Sequence, residues 1–236
     1  MKTSAIITAA GSGSRMKAPV PKPFLELGDR PLLLWAVEAF QQSRLVDEIV
    51  IVVGEADMDR TKAMVTFRDM NKVIAVVPGG AKRQESVANG LEKISADSDI
   101  VLVHDGARPF VTGELIQAII EQVLEKGAAV PVLALHDTIK EVSAEGTIVR
   151  TLDRSMLRAV QTPQGFKTSV LRHAHQRGKE KGLCATDDAG LCESGGQGVA
   201  TVPGSSENLK ITTPEDFAFA QSIAERRAKA VSSPSL

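Results

Sequence analysis

The chain has 236 residues, of which 43% are hydrophobic, and this length suits one sizeable core with at most a small appendage. Its 28 basic and 29 acidic residues give a net charge of −1, and aromatic residues make up only 3%, which argues against nucleic-acid binding. No apolar run reaches the roughly 18 residues of a membrane span. The N-terminus resembles no signal peptide, and Cys184 and Cys192 form no C-x-x-C pair. We therefore expect a cytoplasmic protein with free thiols.

The first predicted element is a buried strand over residues 5–8, and a glycine-rich loop follows it. Gly11 and Gly13 let the backbone turn tightly, while Arg15 and Lys22 place two cations beside the loop. Three prolines between residues 19 and 23 stiffen the segment. This pattern is typical of a polyphosphate site, although a turn with two solvated cations is the alternative. The dinucleotide fingerprint is absent, because Met16 stands where its third glycine belongs, and so is the Walker A loop.

Helices and strands then alternate along the chain. We predict, in order, a strand over residues 24–27, a helix over 32–42, a strand over 48–53, a helical stretch to about 71, a strand over 73–77, a helix over about 84–94, a strand over 100–103 and a helix over about 113–125. This alternation predicts an α/β fold with a mostly parallel, doubly wound sheet. Ligands of such folds bind beyond the carboxyl ends of the strands. Three loops meet that description, at residues 11–22, 79–86 and 105–108.

The pattern changes after Leu135. Residues 138–142 and 147–150 alternate apolar and polar around a turn at 143–146, which predicts an antiparallel hairpin. An isolated hairpin needs cover, so we interpret residues 136–158 as an arm that packs on another subunit; the alternative is a hairpin lying on its own domain. A helix over 168–182, a short helix capped near 186–188, strands over 199–202 and 208–212, and a helix from Pro214 follow. We expect the tail, residues 232–236, to be frayed.

Several motifs occur in a fixed order. They are A-A-G-x-G-x-R-M at 9–16 with P-K at 21–22, G-G-x-x-R-x-x-S-V at 79–87, H-D-G-A-R-P at 104–109, D-T-I-K at 137–140, D-R at 153–154, Q-T-P-Q at 161–164, T-D-D at 186–188 and N-L-K-I-T at 208–212. With these motifs, the chain resembles the 2-C-methyl-D-erythritol 4-phosphate cytidylyltransferase family from residue 5 to about residue 219. One such motif alone would be weak, but the ordered set is specific.

The resemblance implies a three-layer sandwich of the nucleotide-diphospho-sugar transferase type, with a Rossmann-like sheet and a protruding β-arm. It also implies the substrates CTP and methylerythritol phosphate, Mg²⁺, and a homodimer whose arms embrace. The implied catalytic cations are Arg15, Lys22 and Lys210, and Asp105 is the implied metal ligand. Substrate binding is implied for Ala9, Ala10, Gly11, Gly13, Gly80, Ala81, Ser86, Asp105, Arg108, Thr138, Arg154, Thr162 and Thr186. Among these, the resemblance assigns Thr138, Arg154 and Thr162 to a site in the neighbouring subunit.

Two positions depart from the pattern of the family. Pro23 follows the lysine of the P-K pair, where many relatives carry glutamine, and Ala81 stands where some relatives have an acidic residue. A side-chain contact from position 81 to cytidine is therefore not expected, whereas a backbone contact is.

Asp105 also has a plainer interpretation, as a turn residue or helix cap.

The implied reaction is attack by a phosphomonoester oxygen on the α-phosphorus of CTP, with release of pyrophosphate. Because a phosphomonoester has a second pKa of about 6, the nucleophile is already ionised and needs no general base. A ribitol-5-phosphate or other polyol-phosphate cytidylyltransferase is the alternative with the same chemistry. A short-chain dehydrogenase would need a Tyr-x-x-x-Lys pair, and the chain has no tyrosine. A nucleotide-binding module without turnover is the third possibility.

His173 and His175 do not share a helix face, so no metal site is expected there.

Overall fold

The structure is a computed structural model that describes residues 1–11, 13–16, 18 and 20–232. Its helices are α1 (Leu32–Gln42), α2 (Met58–Phe67), α3 (Arg83–Leu91), α4 (Gly113–Lys126), α5 (Thr168–Lys181), α6 (Asp188–Glu193) and α7 (Pro214–Ser232). Its strands are β1 (Thr3–Ala9), β2 (Glu26–Leu27), β3 (Arg30–Pro31), β4 (Glu48–Val53), β5 (Val73–Pro78), β6 (Ile100–Asp105), β7 (Ala128–Ala134), β8 (Lys140–Val142), β9 (Ile148–Thr151), β10 (Arg158–Val160), β11 (Gln164–Lys167) and β12 (Ala200–Pro203). Ser12 and Pro19 of the glycine-rich segment, and residues 233–236 of the tail predicted to fray, lie outside the described residues.

One large sheet organises the molecule. Strands β10, β7, β11, β6, β1, β4 and β5 lie side by side in that order, and β12 pairs with β7. β1 runs parallel to both β4 and β6, and β5 runs parallel to β4, as the alternating pattern predicts. β10 and β11 run antiparallel to their neighbours, so the sheet is mixed rather than purely parallel.

The central strands are buried on both faces. Along β1, Ala5 and Ile7 belong to one apolar cluster, which also contains residues of α1 and α4. Ile6, between them, belongs to a second cluster that contains residues of α3 and α5. Because neighbouring side chains of a strand point to opposite faces, a continuous apolar run is what a sheet between two helical layers requires.

A third apolar cluster lies beside the end of the sheet. The C-terminal helix α7 contributes Ile223 to it, and the cluster also holds Met16 and Ile211. Met16 follows Arg15 directly, and Ile211 follows Lys210. The cluster therefore anchors two chain segments that are far apart in sequence and that carry two of the predicted catalytic cations.

The strand predicted over residues 208–212 is wrong, because this segment is irregular. Its polar groups bond to loops instead of a strand. The Asn208 side chain donates to the Thr162 carbonyl oxygen at 2.8 Å, and the Ile211 N–H donates to the Ala107 carbonyl oxygen at 2.9 Å. These contacts fix the segment beside the loop that follows β6.

The predicted hairpin is present as β8 and β9, joined by a turn in which Gly146 has a φ of +83°. All residues of β8 and β9 are exposed. The hairpin is therefore uncovered in the single chain, and its packing on another subunit stays a prediction. The assignment of the whole chain to one domain, with an arm subdomain over about residues 136–158, stays a prediction.

Candidate active site

A cavity of about 510 Å³ opens where β1 and β6 end. Of the predicted site residues, it is lined by Ala9, Ala10, Gly11, Gly13, Arg15, Lys22, Gly80, Ala81, Ser86, Asp105 and Lys210. It is also lined by Thr8, Pro23, Leu32, Lys82, Arg83, Gly106, Ala107 and Thr212. Among these described lining residues, five are cationic and one, Asp105, is acidic. The three cations singled out from the sequence thus meet in one cavity with an excess of positive charge.

The glycine-rich loop brings Lys22 close to the end of β1. Gly13 has a φ of +62°, and a Cβ at this position would lie 3.0 Å from the Lys22 Cβ. Glycine adopts this left-handed conformation readily, unlike residues with a side chain. Because glycine has no Cβ, it also leaves room for the Lys22 side chain. Arg15 lies in a short 3₁₀ turn, in which the Met16 N–H donates to the Gly13 carbonyl oxygen at 2.8 Å.

Lys22 lies among other cations. Its Nζ donates to the Ile211 carbonyl oxygen at 3.2 Å. Burial lowers the pKa of Lys22, and the positive charges of Lys210 and Arg15 lower it further. Repulsion among these groups favours the arrival of an anion, since an anion would neutralise charges that now face one another.

Asp105 ends β6 and carries the one carboxylate among the described lining residues. Its Oδ2 lies 2.8 Å from the Lys210 Nζ and 3.9 Å from the Arg108 Nε, while its Oδ1 lies 3.3 Å from the Arg83 Nε. Burial would raise the pKa of Asp105, but Arg83 and then Lys210 hold it far below its usual value. Asp105 is therefore ionised at neutral pH.

Thr162 and His104 form a hydrogen-bonded pair that holds the backbone of Asp105 in place. The Thr162 Oγ1 accepts from the Asp105 N–H at 3.0 Å and lies 3.1 Å from the His104 Nδ1. The His104 Nε2 lies 3.0 Å from the Arg108 carbonyl oxygen, so Nε2 is the protonated nitrogen and Nδ1 accepts from Thr162. Burial lowers the pKa of His104 to about 4, so the ring is neutral.

The loop after β5 closes another side of the cavity. A Cβ on Gly79 would lie 2.2 Å from the Ala10 Cβ, so glycine is needed where this loop meets the loop after β1. The Gly80 N–H donates to the Ser86 Oγ at 3.1 Å, and the Ala81 N–H donates to the Glu85 Oε2 at 2.8 Å. The loop is thus held by its own side chains, and Ala81 offers the cavity no polar side chain.

The remaining predicted site residues lie outside the lining of this cavity. Thr162 is buried behind Asp105 in the chain's own site and does not lie on the arm. Arg108 lies beside Asp105 and donates to the Asn208 carbonyl oxygen at 2.8 Å. Thr138, Arg154 and Thr186 are exposed; Arg154 donates to the His136 carbonyl oxygen near the hairpin. Their predicted contacts with substrate stay predictions.

Known proteins resemble this chain over nearly its whole length. The model of the IspD family, 2-C-methyl-D-erythritol 4-phosphate cytidylyltransferase, matches residues 3–226. The chain belongs to the IspD family. It is 44% identical to the 2-C-methyl-D-erythritol 4-phosphate cytidylyltransferase of Desulforamulus reducens over 94% of this chain and 96% of that protein. It is 42% identical to the enzyme of that name from Geobacillus kaustophilus, over 96% and 99% of the two chains.

Solved IspD structures share the fold. The cytidylyltransferase of Thermus thermophilus superimposes with a TM-score of 0.79 at 39% identity, covering 95% of this chain and 100% of that one. The 4-diphosphocytidyl-2C-methyl-D-erythritol synthase of Anaerococcus prevotii gives a TM-score of 0.85 at 31% identity, covering 95% and 96%. The predicted α/β fold and nucleotidyltransferase class are confirmed, which excludes the dehydrogenase. Within the described residues, no helix has the length and hydropathy to cross a bilayer.

Sequence reasoning missed one cluster of this IspD site. Arg83 lines the cavity and pairs with both Asp105 and Asp188, and Asp188 also contacts His175. Arg83 is the arginine of the G-G-x-x-R motif, and its place in that motif is the signal that could have indicated a function. Asp188 and His175 lie on helices far along the chain, and no spacing in the sequence indicates that they meet Arg83.

Proposed function

We propose that this protein transfers CMP from CTP to 2-C-methyl-D-erythritol 4-phosphate and releases pyrophosphate, as its membership of the IspD family indicates. The observation that carries the proposal is the meeting of Arg15, Lys22 and Lys210 in one cavity. The reaction brings two anions together and builds charge at phosphorus, so concentrated positive charge and fixed positions are its main requirements.

The acceptor phosphate serves as its own nucleophile, since its second pKa of about 6 leaves it ionised at neutral pH. His104 does not act as a base, because it is buried and both ring nitrogens are engaged by Thr162 and by the Arg108 carbonyl oxygen. Arg15 and Lys22 bind the triphosphate, and Lys210 stabilises charge at the reacting phosphorus. Each group therefore binds and orients a phosphate, and none transfers a proton.

A magnesium ion fits the cavity if one protein carboxylate and the substrate phosphates hold it together. The described residues contain no group of three or more His, Cys, Asp or Glu side chains that could hold a metal. Magnesium in nucleotide sites is commonly held by one or two carboxylates together with substrate phosphates. Asp105 supplies one such carboxylate in the cavity, and among the described lining residues it would be the one acidic ligand of the ion. The ion would neutralise phosphate charge when bound.

A homodimer is also part of the proposal. The hairpin arm exposes apolar side chains, with Val142 52%, Ile148 59% and Val149 59% accessible. Exposed apolar groups on a projecting hairpin favour cover by another surface, and a second copy of the chain is the partner that the family resemblance implies. A cytoplasmic location, predicted from the unpaired cysteines, belongs to the proposal in the same way.

The test of the reaction is a pyrophosphate-release assay with CTP and Mg²⁺. Methylerythritol 4-phosphate and ribitol 5-phosphate are offered separately at equal concentration. We expect turnover with methylerythritol 4-phosphate. Activity with ribitol 5-phosphate alone would replace the proposal with the polyol-phosphate alternative, and CTP binding without turnover would favour a binding module.

The test of the dimer is sedimentation or light scattering of the wild-type chain and of a variant carrying Ile148→Glu and Val149→Glu. We expect a dimer for the wild type and a monomer for the variant, because two charges would replace the apolar contact. Thr147→Glu adds a charge to the same exposed hairpin without removing an apolar side chain and is the matched control. A monomeric wild type would refute the proposed dimer.

A further inference from the structure

Arg83 connects the cavity to the protein interior. It is the first residue of α3, and its guanidinium contacts two carboxylates from different parts of the chain. The Nε lies 3.3 Å from the Asp105 Oδ1, and the Nη1 lies 2.6 Å from the Asp188 Oδ2. A planar guanidinium can serve two carboxylates with fixed geometry, which a lysine ammonium cannot do.

The far end of this bridge is fixed. Asp188 is 1% exposed and lies in the first turn of α6, so it cannot touch a substrate. Its N–H donates to the Gln164 Oε1 at 3.1 Å, and its Oδ1 accepts from the His175 Nε2 at 3.2 Å. Burial would raise the pKa of Asp188, but the His175 hydrogen bond and the Arg83 charge keep it low. Asp188 thus offers Arg83 an ionised partner that is held on several sides.

Lys210 is the second close cation of Asp105. It contacts the opposite carboxylate oxygen, Oδ2, at 2.8 Å, and its side chain is 40% exposed. The same Nζ is needed at the substrate phosphate in the proposed reaction, and a lysine on a flexible stem can turn between the two positions. When it does so, Asp105 keeps one close cation, Arg83, while Arg108 stands 3.9 Å away.

We propose that Arg83, anchored by Asp188, is a positioning residue that holds the Asp105 carboxylate in place while Lys210 turns from Asp105 to the substrate phosphates. The inference rests on the proposed cytidylyltransferase function. Arg83 acts through Asp105 and touches no reacting atom. Asp188 acts one step further away, by fixing the guanidinium.

A double-mutant cycle tests this assignment. We measure kcat/KM for CTP, and CTP affinity by calorimetry, in the wild type, Arg83→Gln, Asp105→Asn and the double variant. We expect Arg83→Gln to lower kcat/KM by about 10- to 100-fold, the range found for groups that orient a catalytic ligand. The double variant should match Asp105→Asn alone within about 3-fold, because the two residues act in series. The affinity cycle closes even where a variant turns over too slowly to assay.

The inference would be overturned if Arg83→Gln and Asp105→Asn lowered kcat/KM independently of each other. The Arg83 Nη2 is buried without a hydrogen-bond partner among the described residues, so direct contact of this nitrogen with substrate is the rival. In that case the losses in the double variant multiply. If the wild type turns over CTP and methylerythritol phosphate but the cycle is multiplicative, the inference fails and the proposed function stands. A wild type without turnover refutes the proposed function itself.

Two further variants separate positioning from stability. Asp188→Asn leaves the Arg83 charge beside Asp105 but weakens its anchor, and we expect a loss similar to that of Arg83→Gln. Arg177→Gln is the matched control, since Arg177 donates to the Ser194 carbonyl oxygen at 2.7 Å, just beyond the opposite end of α6. We expect it to lower the Tm while kcat/KM stays within about 2-fold. An equal loss of kcat/KM in Arg177→Gln would reduce Arg83 to a structural tether. Where Asp188→Asn does not fold, the Arg83–Asp105 cycle decides alone.

Discussion

His104 makes the stability of the protein depend on pH. The ring is fully buried, and its pKa is lowered to about 4 from the usual value of 6.5. Between these two values the unfolded chain binds a proton that the folded protein does not, so stability rises with pH across this window and falls on acidification. A shift of this size corresponds to a loss of about 3 kcal/mol between pH 6.5 and pH 4.

The assay is urea unfolding of the wild type and His104→Gln at several pH values from about 4.5 to 7.5. Glutamine offers a donor and an acceptor but no titratable group. We expect the free energy of unfolding of the wild type to fall more steeply than that of the variant below about pH 6.5, with an extra slope that approaches about 1.4 kcal/mol per pH unit near pH 5. Groups common to both proteins, such as Asp105, cancel in the difference. Equal slopes in the two proteins would refute the assignment of a neutral, buried His104.

Three further predictions concern the site. Lys22→Ala and Lys210→Ala are each expected to lower kcat by about 10²- to 10³-fold while circular dichroism shows the fold intact, and near-normal turnover in both would falsify the mechanism. Gly79→Ala should raise the KM for CTP by at least about 10-fold, because its Cβ would lie 2.2 Å from the Ala10 Cβ and separate the two loops; an unchanged KM would contradict this. Asp105→Asn should raise the Mg²⁺ concentration needed for half-maximal activity, and an unchanged requirement would remove Asp105 as a metal ligand.

The central strands could be predicted because burial on both faces leaves a continuous apolar run. β4 is buried along its whole length, and its sequence is apolar from Ile49 to Val53. The strands at the other side of the sheet carry weaker signals. Pro131 stands in the middle of β7, where proline argues against an internal strand, yet β7 pairs with β10, β11 and β12. The antiparallel part of the sheet therefore could not be predicted from the sequence.

The segment that carries Lys210 shows the opposite error. Its alternation from Asn208 to Thr212 favours a strand, but tertiary contacts override this local preference. Asn208 is fully buried and bonds to the Thr162 carbonyl oxygen. A strand prediction cannot register such contacts, since they depend on the positions of loops elsewhere in the fold.

The site itself divides in the same way. The loops at the carboxyl ends of β1, β5 and β6 could be predicted, because each follows an apolar run directly and carries glycine or charge. The pairing of Arg83 with Asp188 spans 105 residues of sequence and could not. Neither residue belongs to a pattern with its partner, so their contact follows only from tertiary packing, in which α5 lies against both α3 and α6.

The charges of the cavity link these observations. Among the described lining residues, five cations face one carboxylate, so the cavity carries repulsion that Asp105 offsets only in part. That repulsion lowers the pKa of Lys22, where burial is the larger cause and Lys210 the next. A triphosphate is the kind of ligand that relieves it, because several negative charges on one chain can meet several cations at once. The repulsion costs stability in the free protein and makes the binding of an anion more favourable. The cations stay close together because Gly13 leaves room for Lys22 and because the third apolar cluster anchors Met16 and Ile211, the neighbours of Arg15 and Lys210.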